Sequence, residues 1–291
     1  MTKRKKAMGR CLLTGVEGPL VKSHIIPRFL ADKALGQAHR IQFGEDARPQ
    51  LLFNSWADNT IVVAQGEKRL ADIDTAAARI FRNLGLSWRH FPLTADAKRA
   101  QVGAFESELV TIPVKVEDAA ALRLFFLSVL WRCAVSSRVE FAEIFLDEAA
   151  TEKLRRIILG IEQPSDSDFP SVLVLLTSQG EPQVHSPLAQ TIDMKALGFD
   201  LPNVPIFRFF FDGLIVHMGR QLDDKGLLEA WGPRVVGTRP ELILIGRPYD
   251  GSSQEINLNH LKRTLLEEHP EQAIRIYRTL WEIDARNGEE L

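Results

Sequence analysis

The segment from Ala119 to Val135 constrains the fold of this chain more than any other. Its residues are apolar on nearly every face of a helix, and Asp118 supplies the negative charge that suits a first helical turn. Arg123 and Arg132 interrupt the run, which is too short for a comfortable membrane span. We therefore expect a helix from about Asp118 to Ser136 at the centre of the core, with each arginine paired with a carboxylate or extended to the surface.

Turn residues and changes of periodicity divide the sequence into four regions. We expect a basic tail over residues 1–10, a small module over 11–85, a helical region over 86–162 and a β-rich region with C-terminal helices over 163–291. The polar run from Glu162 to Pro170 marks the last change, because β-rich runs separated by Gly and Pro follow it. The predicted fold class is α+β, with a small N-terminal module, a helical centre and a β-rich C-terminal half closed by helices.

Local signals predict several elements inside these regions. Ser23 has the chemistry of a helix cap and Pro27 suits a first turn, so a helix from Ser23 to about Leu35 is expected. A helical stripe of apolar residues begins after Glu67. Between two β-rich runs, Gly213 predicts a hairpin or a bulge.

Composition limits the classes of function. The 291 residues carry a formal net charge of −2, whereas nucleic-acid-binding domains usually carry a basic excess, so any such contact must come from a local patch. Cys11 and Cys133 make no disulfide framework, which fits a reducing compartment. The basic start MTKRKKAMGR is not followed by an apolar segment of signal-peptide length. We expect a cytoplasmic protein that does not bind a membrane.

The two most informative segments are Cys-Leu-Leu-Thr at residues 11–14 and Ser-His-Ile-Ile-Pro at residues 23–27. A histidine such as His24 can deprotonate an attacking water, and a divalent ion can stabilise the charge that develops on a phosphate. Asn59 and Glu67 follow at the starts of the next apolar stretch and the next helical stripe. Each also has a structural interpretation, because His24 can be a first-turn residue, Asn59 a turn residue and Glu67 a charge at a helix start.

This order resembles the HNH, or ββα-metal, nuclease family. In that family a histidine phrase ending in Ile-Pro or Val-Pro follows a first Cys-x-x-Cys knuckle, and an Asn-led strand comes later. A second knuckle then opens an α-helix. The resemblance implies an HNH-like knuckle module with His24 as the general base, Asn59 as the residue that orients it and Glu67 as a nearby oxygen donor. It also implies Mg²⁺ or Mn²⁺ as cofactor if the module is a nuclease.

The resemblance extends beyond the module. The segment from Leu122 to Leu159, with Phe-Leu-Ser-Val-Leu-Trp-Arg at residues 126–132, is similar to a poorly characterised bacterial family. Its members join such a knuckle to a helical and β-rich body. The family context implies a role in bacterial conflict, such as phage defence.

The departures from the HNH pattern concern the metal ligands. Of four expected cysteines only Cys11 remains, with Thr14 in the second position and Ala64 and Gly66 or Glu67 in the others. One thiolate cannot build a tetrahedral zinc site, so we expect no structural zinc. Apolar packing should hold the module instead. The residues expected to supply it are Leu12, Leu13, Ile25, Ile26, Phe29 and Val62.

Clustered basic residues mark the expected nucleic-acid contact. They are Lys3, Arg4, Lys5, Lys6, Arg10, Lys22, Arg28, Lys68 and Arg69. The first run can equally be a solvated tail. The sequence favours a protein that binds DNA or RNA through a degenerate HNH-like module, weakly active or inactive as a nuclease. The alternatives are an active metal-dependent HNH-type endonuclease that uses His24, and a scaffold in a bacterial conflict system that binds a protein partner.

Overall fold

The computed structural model describes residues 7–31, 40–44, 47–52, 55–88, 109–180, 185–193, 203–275 and 278. The predicted phosphate contacts from Lys3 to Lys6 lie outside these residues. No helix in the described ranges combines the length and apolar character needed to cross a bilayer.

The N-terminal part carries short, paired strands and two helices. In chain order they are β1 (Met8–Arg10), β2 (Glu17–Pro19), β3 (Ser23–His24), α1 (Arg28–Ala31), β4 (Arg40–Gly44), β5 (Ala47–Leu52), β6 (Ala57–Asp58) and α2 (Ala64–Leu84). Three antiparallel pairs form here, β1 with β2, β3 with β6 and β4 with β5.

The rest of the described chain alternates between strands and helices. The elements are β7 (Val110–Lys115), α3 (Ala119–Val135), α4 (Glu148–Ile158), β8 (Ser171–Leu176), β9 (Leu188–Ile192), β10 (Val204–Phe211), β11 (Leu214–Gly219), α5 (Lys225–Trp231), β12 (Glu241–Arg247) and α6 (Ser253–Glu268). A further helical stretch covers residues 270–275.

Six of these strands form one mixed sheet in the order β7-β12-β8-β11-β10-β9. Only the pairing of β12 with β8 is parallel, and the other neighbours are antiparallel. The α+β class is therefore confirmed. The predicted helical region contributes the edge strand β7, so the sheet crosses the boundary that the sequence suggested near residue 162.

Helix α3 lies at the centre of the core, as its composition predicts. Asp118 caps it, with the carboxylate accepting the Ala121 N–H at 2.8 Å. The ring of Phe125 lies 5.6 Å from that of Phe81 on α2, while Phe126 stacks on Phe211 of β10 at 6.5 Å. The same apolar cluster continues from Cys11 to Leu244. The N-terminal part and one face of the sheet thus share a single core around α3.

The second face of the sheet has its own apolar clusters. Trp88 packs edge-on against Phe210 at 5.9 Å and against Tyr249 at 5.4 Å. Farther along, Leu227 and Trp231 of α5 cover residues of β8 and β10. Because strand side chains alternate between faces, Arg208 shares this face with Ile206 of one cluster and Phe210 of the other.

The turn between β10 and β11 confirms the predicted hairpin. Gly213 has a φ of +92°, and Asp212 before it has a φ of +48°. A side chain at residue 213 would also collide with Trp88, whose Nε1 lies 2.4 Å from the position of an added Cβ. Glycine is therefore required here both by the backbone conformation and by the close approach of the indole.

Two expectations for the N-terminal part were wrong. Ser23 does not cap a helix, because it is a buried strand residue paired with Asp58, and the helix begins only at Arg28. Pairing with a distant strand overrode the local capping chemistry. Leu12 is 44% exposed and so does not help to hold the module. Leu13, Ile25, Ile26 and Val62 are buried and Phe29 packs against them, as predicted.

Candidate functional site

The turn at residues 11–14 encloses a buried sulfur. Cys11 is fully buried, and its Sγ accepts the Thr14 N–H at 3.3 Å. Burial alone would raise the pKa of the Cys11 thiol. Hydrogen bonds from Thr14 and from backbone groups at Val63 and Leu13 outweigh it and lower that pKa. Backbone N–H groups directed at a sulfur favour its thiolate form, which is the form that ligates metals.

The first turn of α2 packs directly against this sulfur. A Cβ added at Gly66 would lie 2.8 Å from Cys11 Sγ and 3.2 Å from Val62 Cβ. The other positions that the resemblance assigns to zinc ligands are Thr14, Ala64 and Gly66 or Glu67. This donor set, with one thiolate and a helix in contact with it, does not fit a four-coordinate zinc.

Strands β3 and β6, followed by α2, bring the three predicted catalytic residues into one part of the fold. His24 lies opposite Ala57 in the strand pair and is half-buried. Asn59 follows β6 in an exposed bend, and Glu67 lies in the first turn of α2. Side chains alternate along a strand, so the His24 ring points away from the side on which Ser23 meets Glu67.

Glu67 is a carboxylate in an unfavourable environment. Burial raises its pKa above the ordinary value of 4.5, and the charge of Asp74 adds to the effect. Ser23 and the charge of Arg132 act in the opposite direction without cancelling it. Glu67 Oε2 and Ser23 Oγ are both buried, and the hydroxyl is close enough to the carboxyl to lower its pKa, although neither atom makes a hydrogen bond of good geometry within the described chain. Burial therefore favours the protonated form of this carboxyl more than in an exposed glutamate.

Asp58, beside the predicted Asn59, is the better-bonded polar residue of the turn. One carboxylate oxygen accepts the N–H and the hydroxyl of Thr60 at 2.8 and 2.6 Å, and the other accepts the Ser136 hydroxyl at 2.8 Å. Burial raises its pKa, but these bonds and the nearby charge of Arg138 outweigh burial, so the pKa of Asp58 is lowered. Asp58 thus fastens the turn to the end of α3.

Arg132 is the centre of the polar network under β3. Its side chain is only 1% exposed. Both oxygens of Asp74 accept from it at 3.0 and 2.6 Å, and so do the carbonyl and hydroxyl of Ser128 at 3.2 and 2.9 Å. The fifth bond, at 3.0 Å, goes to the carbonyl of His24. All five N–H groups of the guanidinium are therefore used, and the strand that carries His24 is tied to α3.

Two more arginines join the module to α4. Arg69 Nε donates to the carbonyl of Ile158 at 2.6 Å, and Arg155 Nη1 donates to the carbonyl of Leu13 at 2.8 Å. Arg69 was predicted as a phosphate contact, and the structure gives it this structural bond. Together with Arg132, these residues supply charged hydrogen bonds that join the N-terminal part of the chain to α3 and α4. Such bonds contribute about 1.5–3 kcal/mol each.

The other described basic residues lie at the surface of the module. Arg10, Lys22, Arg28 and Lys68 are all exposed. Arg10 stands opposite Glu17 in the β1–β2 pair, which reduces the local positive charge. Lys22 and Arg28 flank the Ser-His-Ile-Ile-Pro segment, and Lys68 lies near the start of α2.

Metal-binding groups do not cluster in this site. Within the described ranges, no group of three His, Cys, Asp or Glu side chains is placed to hold an ion. Asp58 uses both oxygens in hydrogen bonds, Asp74 uses both on Arg132, and Glu67 is buried beside Ser23. The donors present do not fit Mg²⁺ or Mn²⁺, which require several oxygen ligands together.

A shallow apolar groove lies between Leu12 and the residues of α3 and α4. It encloses about 400 Å³, and its lining includes Leu12, Trp131, Val135, Leu146 and Arg155. Near it in sequence, Met8 is 72% exposed and Val16 is 47% exposed. A contiguous exposed apolar patch is typical of surfaces that contact other proteins, and Leu12, which is 44% exposed, belongs to the lining of this groove.

Sequence reasoning named Asp74, with Glu67 and Asp72, as a nearby oxygen donor, but it gave no role to Asp58 or Ser136. It assigned the turn to Asn59 and treated the pairing of Arg132 as a purely structural matter. One signal was available, because a charged residue in an otherwise apolar helix must find partners in the core. Its partners could not be named, since they come from elements far away in sequence.

Comparison with protein-family models, with curated proteins and with solved structures finds no match for this chain.

Proposed function

We propose that this protein binds nucleic acid through a degenerate HNH-like module and is weakly active or inactive as a nuclease. The observation that carries the proposal is the strand–strand–helix arrangement of β3, β6 and α2. It presents the Ser-His-Ile-Ile-Pro phrase with exposed Lys22, Arg28 and Lys68 around it. The absence of a cluster of metal ligands among the described residues favours binding without efficient cleavage.

The expected contact is with phosphates. Each phosphate neutralised on duplex DNA adds about 0.9 to the slope of log affinity against log salt concentration. The basic tail from Lys3 to Lys6 would extend the contact beyond the module. Both DNA and RNA offer this backbone, so competition between matched duplexes decides between them.

A salt titration of binding to a short duplex tests the proposal. Deleting residues 2–6 should reduce the slope by several units. Replacing Lys22, Arg28 and Lys68 together by Gln should reduce it by up to about 3. The matched control replaces Lys115, Lys225 and Arg239, exposed basic residues outside the module, and should leave the slope unchanged.

Equal losses in the control would mean that binding follows total charge, which contradicts a site on the module. No measurable binding of the intact protein at low salt would contradict nucleic-acid binding itself. The protein-binding scaffold would then be the better hypothesis. The exposed apolar groove beside Leu12 already supports it as a second candidate.

The nuclease alternative is tested separately. Plasmid DNA is incubated with Mg²⁺ or Mn²⁺ and either the intact protein or His24→Ala. Little or no cleavage by either protein is expected, because the donors that would hold the ion are already engaged or buried. Efficient cleavage that His24→Ala abolishes would establish an active endonuclease instead.

A further inference from the structure

The second face of the sheet carries basic residues that the proposed function does not use. Arg208 on β10 lies directly opposite His217 on β11. Arg247 at the end of β12 is paired with Leu176 of β8. His185 lies over Phe210, with 4.9 Å between the ring centroids. Arg208 lies on β10 between Ile206 of the α5 cluster and Phe210 of the Trp88 cluster, whereas the neighbours of Arg247 and His185, Leu176 and Phe210, both belong to the Trp88 cluster.

Both arginines are half-buried, and neither has a counter-charge in the described chain. The Nε atoms of Arg208 and Arg247 are inaccessible to solvent and have no hydrogen-bond partner there. Within the same ranges, no carboxylate forms an ion pair with either residue. Burial of an ionised group is unfavourable unless a charge or hydrogen-bond acceptor compensates it.

The charges of the two arginines also change the pKa values of neighbouring groups. Burial, and then the charge of Arg247, lowers the pKa of Arg208. Burial and the charge of Arg208 lower the pKa of His185 to about 4 and that of His217 to about 3. Both imidazoles are therefore neutral at pH 7. The region has positive charge from its arginines and lacks negative charge from the described residues.

We infer that the region between Arg208 and Arg247 binds a small molecule through an oxyanion, a phosphate or carboxylate group. An oxyanion would accept hydrogen bonds from guanidinium N–H groups and supply the missing negative charge. The rings of Phe210, Trp88 and Tyr249 form an apolar cluster on the same face, and a low-dielectric surface strengthens the attraction. Because the Nε atoms are buried, the ligand is small, and a nucleic-acid backbone is not expected to reach them.

The test uses the full chain in a chloride buffer without oxyanions, at constant ionic strength. Inorganic phosphate and succinate are titrated separately while the midpoint of thermal unfolding is measured. At least one of them should raise the midpoint by a few degrees in a saturable way, since a ligand of the native state stabilises it by mass action. The anion that acts identifies the class of ligand.

Arg208→Gln and Arg247→Gln should each abolish this rise, while the exposed control Arg239→Gln should keep it. In the intact protein, the ring signals of His185 and His217 in NMR spectra should shift with the same saturation curve. This second measurement does not depend on whether the variants fold. DNA binding by Arg208→Gln should be unchanged, which separates this site from the proposed nucleic-acid contact.

Three results would overturn the inference. They are no response to either anion, an equal response in all three arginine variants, or a loss of DNA binding in Arg208→Gln that matches the loss of the anion response.

Discussion

Arg132 is fully buried and Arg208 is half-buried, and the two arginines also differ in what surrounds them. Arg132 donates all five N–H groups, two of them to Asp74. Arg208 has a neighbouring arginine, a neutral histidine and a buried Nε without a partner in the described chain. The first arrangement holds a fold together, while the second costs stability. A charged group that destabilises the folded state is a candidate for a functional site.

The strongest way to break this comparison is to remove Arg132. Arg132→Met leaves the His24 carbonyl, Asp74 and the Ser128 hydroxyl without their donor, so a loss of about 3–5 kcal/mol in the free energy of unfolding is expected. Urea denaturation measures it. Arg208→Met in oxyanion-free buffer is the counterpart and should be neutral or stabilising, because it removes a charge that lacks compensation. A similar loss of unfolding free energy in both variants would mean that both arginines stabilise the folded state.

The next effect concerns the contact between α2 and the Cys11 sulfur. Alanine usually stabilises a helix by about 1 kcal/mol relative to glycine. In Gly66→Ala the added Cβ would meet Cys11 Sγ and Val62, so we expect a net loss of about 1–3 kcal/mol. Gly226 in α5 has an open environment, and Gly226→Ala should be neutral or slightly stabilising. Thermal unfolding of both variants compares them, and a stable Gly66→Ala would show that the helix can move away.

The smallest effects are pH-dependent and opposite in sign for Asp58 and Glu67. The folded state lowers the pKa of Asp58 below 3.8, so its stabilisation is present above that pH and is lost as the pH falls through the lowered value. Asp58→Asn should therefore reduce stability at pH 7 and matter less in acid. Exposed Asp72→Asn is the control and should change little at either pH.

The folded state raises the pKa of Glu67 above 4.5. Its favourable contribution is complete below pH 4.5 and is lost as the pH rises through the raised value. Glu67→Gln should therefore increase stability at pH 7 and have little effect near pH 4. Denaturation at the two pH values measures this, and a loss of stability at pH 7 would mean that the ionised carboxylate is bonded in the native state.

The sequence predicted the elements whose signals are local. The capped, apolar α3 and the hairpin at Gly213 are confirmed because composition and turn chemistry determine them. Ser23 was assigned to the wrong element because its strand partner, β6, lies more than thirty residues away. Likewise, the network of Arg132 depends on Asp74 and on a carbonyl of β3, and no local pattern reports such pairings.

The candidate sites were predictable to different degrees. His24, Asn59 and Glu67 were named from a motif, and the structure places them in one part of the fold. The role of Asp58 was missed, because an aspartate next to an asparagine in a turn looks like any other turn residue. Nothing in the sequence brings Arg208, His217 and Arg247 together, since only the order of strands in the sheet does so.

The order of strands also determines when the protein can finish folding in a cell. Among the described strands, β7 pairs only with β12, which is synthesised well over a hundred residues later. At about 5–20 residues per second, the ribosome needs on the order of ten seconds for that stretch. Helix α3 leaves the ribosome soon after β7, and until the sheet assembles the side of α3 that carries Phe126 lacks its partner Phe211 on β10. During that interval the exposed apolar surface of the new chain can contact other proteins in the cell. Substitutions that slow the pairing of β12 with β7 would therefore lower the amount of folded protein that a cell produces, even where they leave the folded protein unchanged.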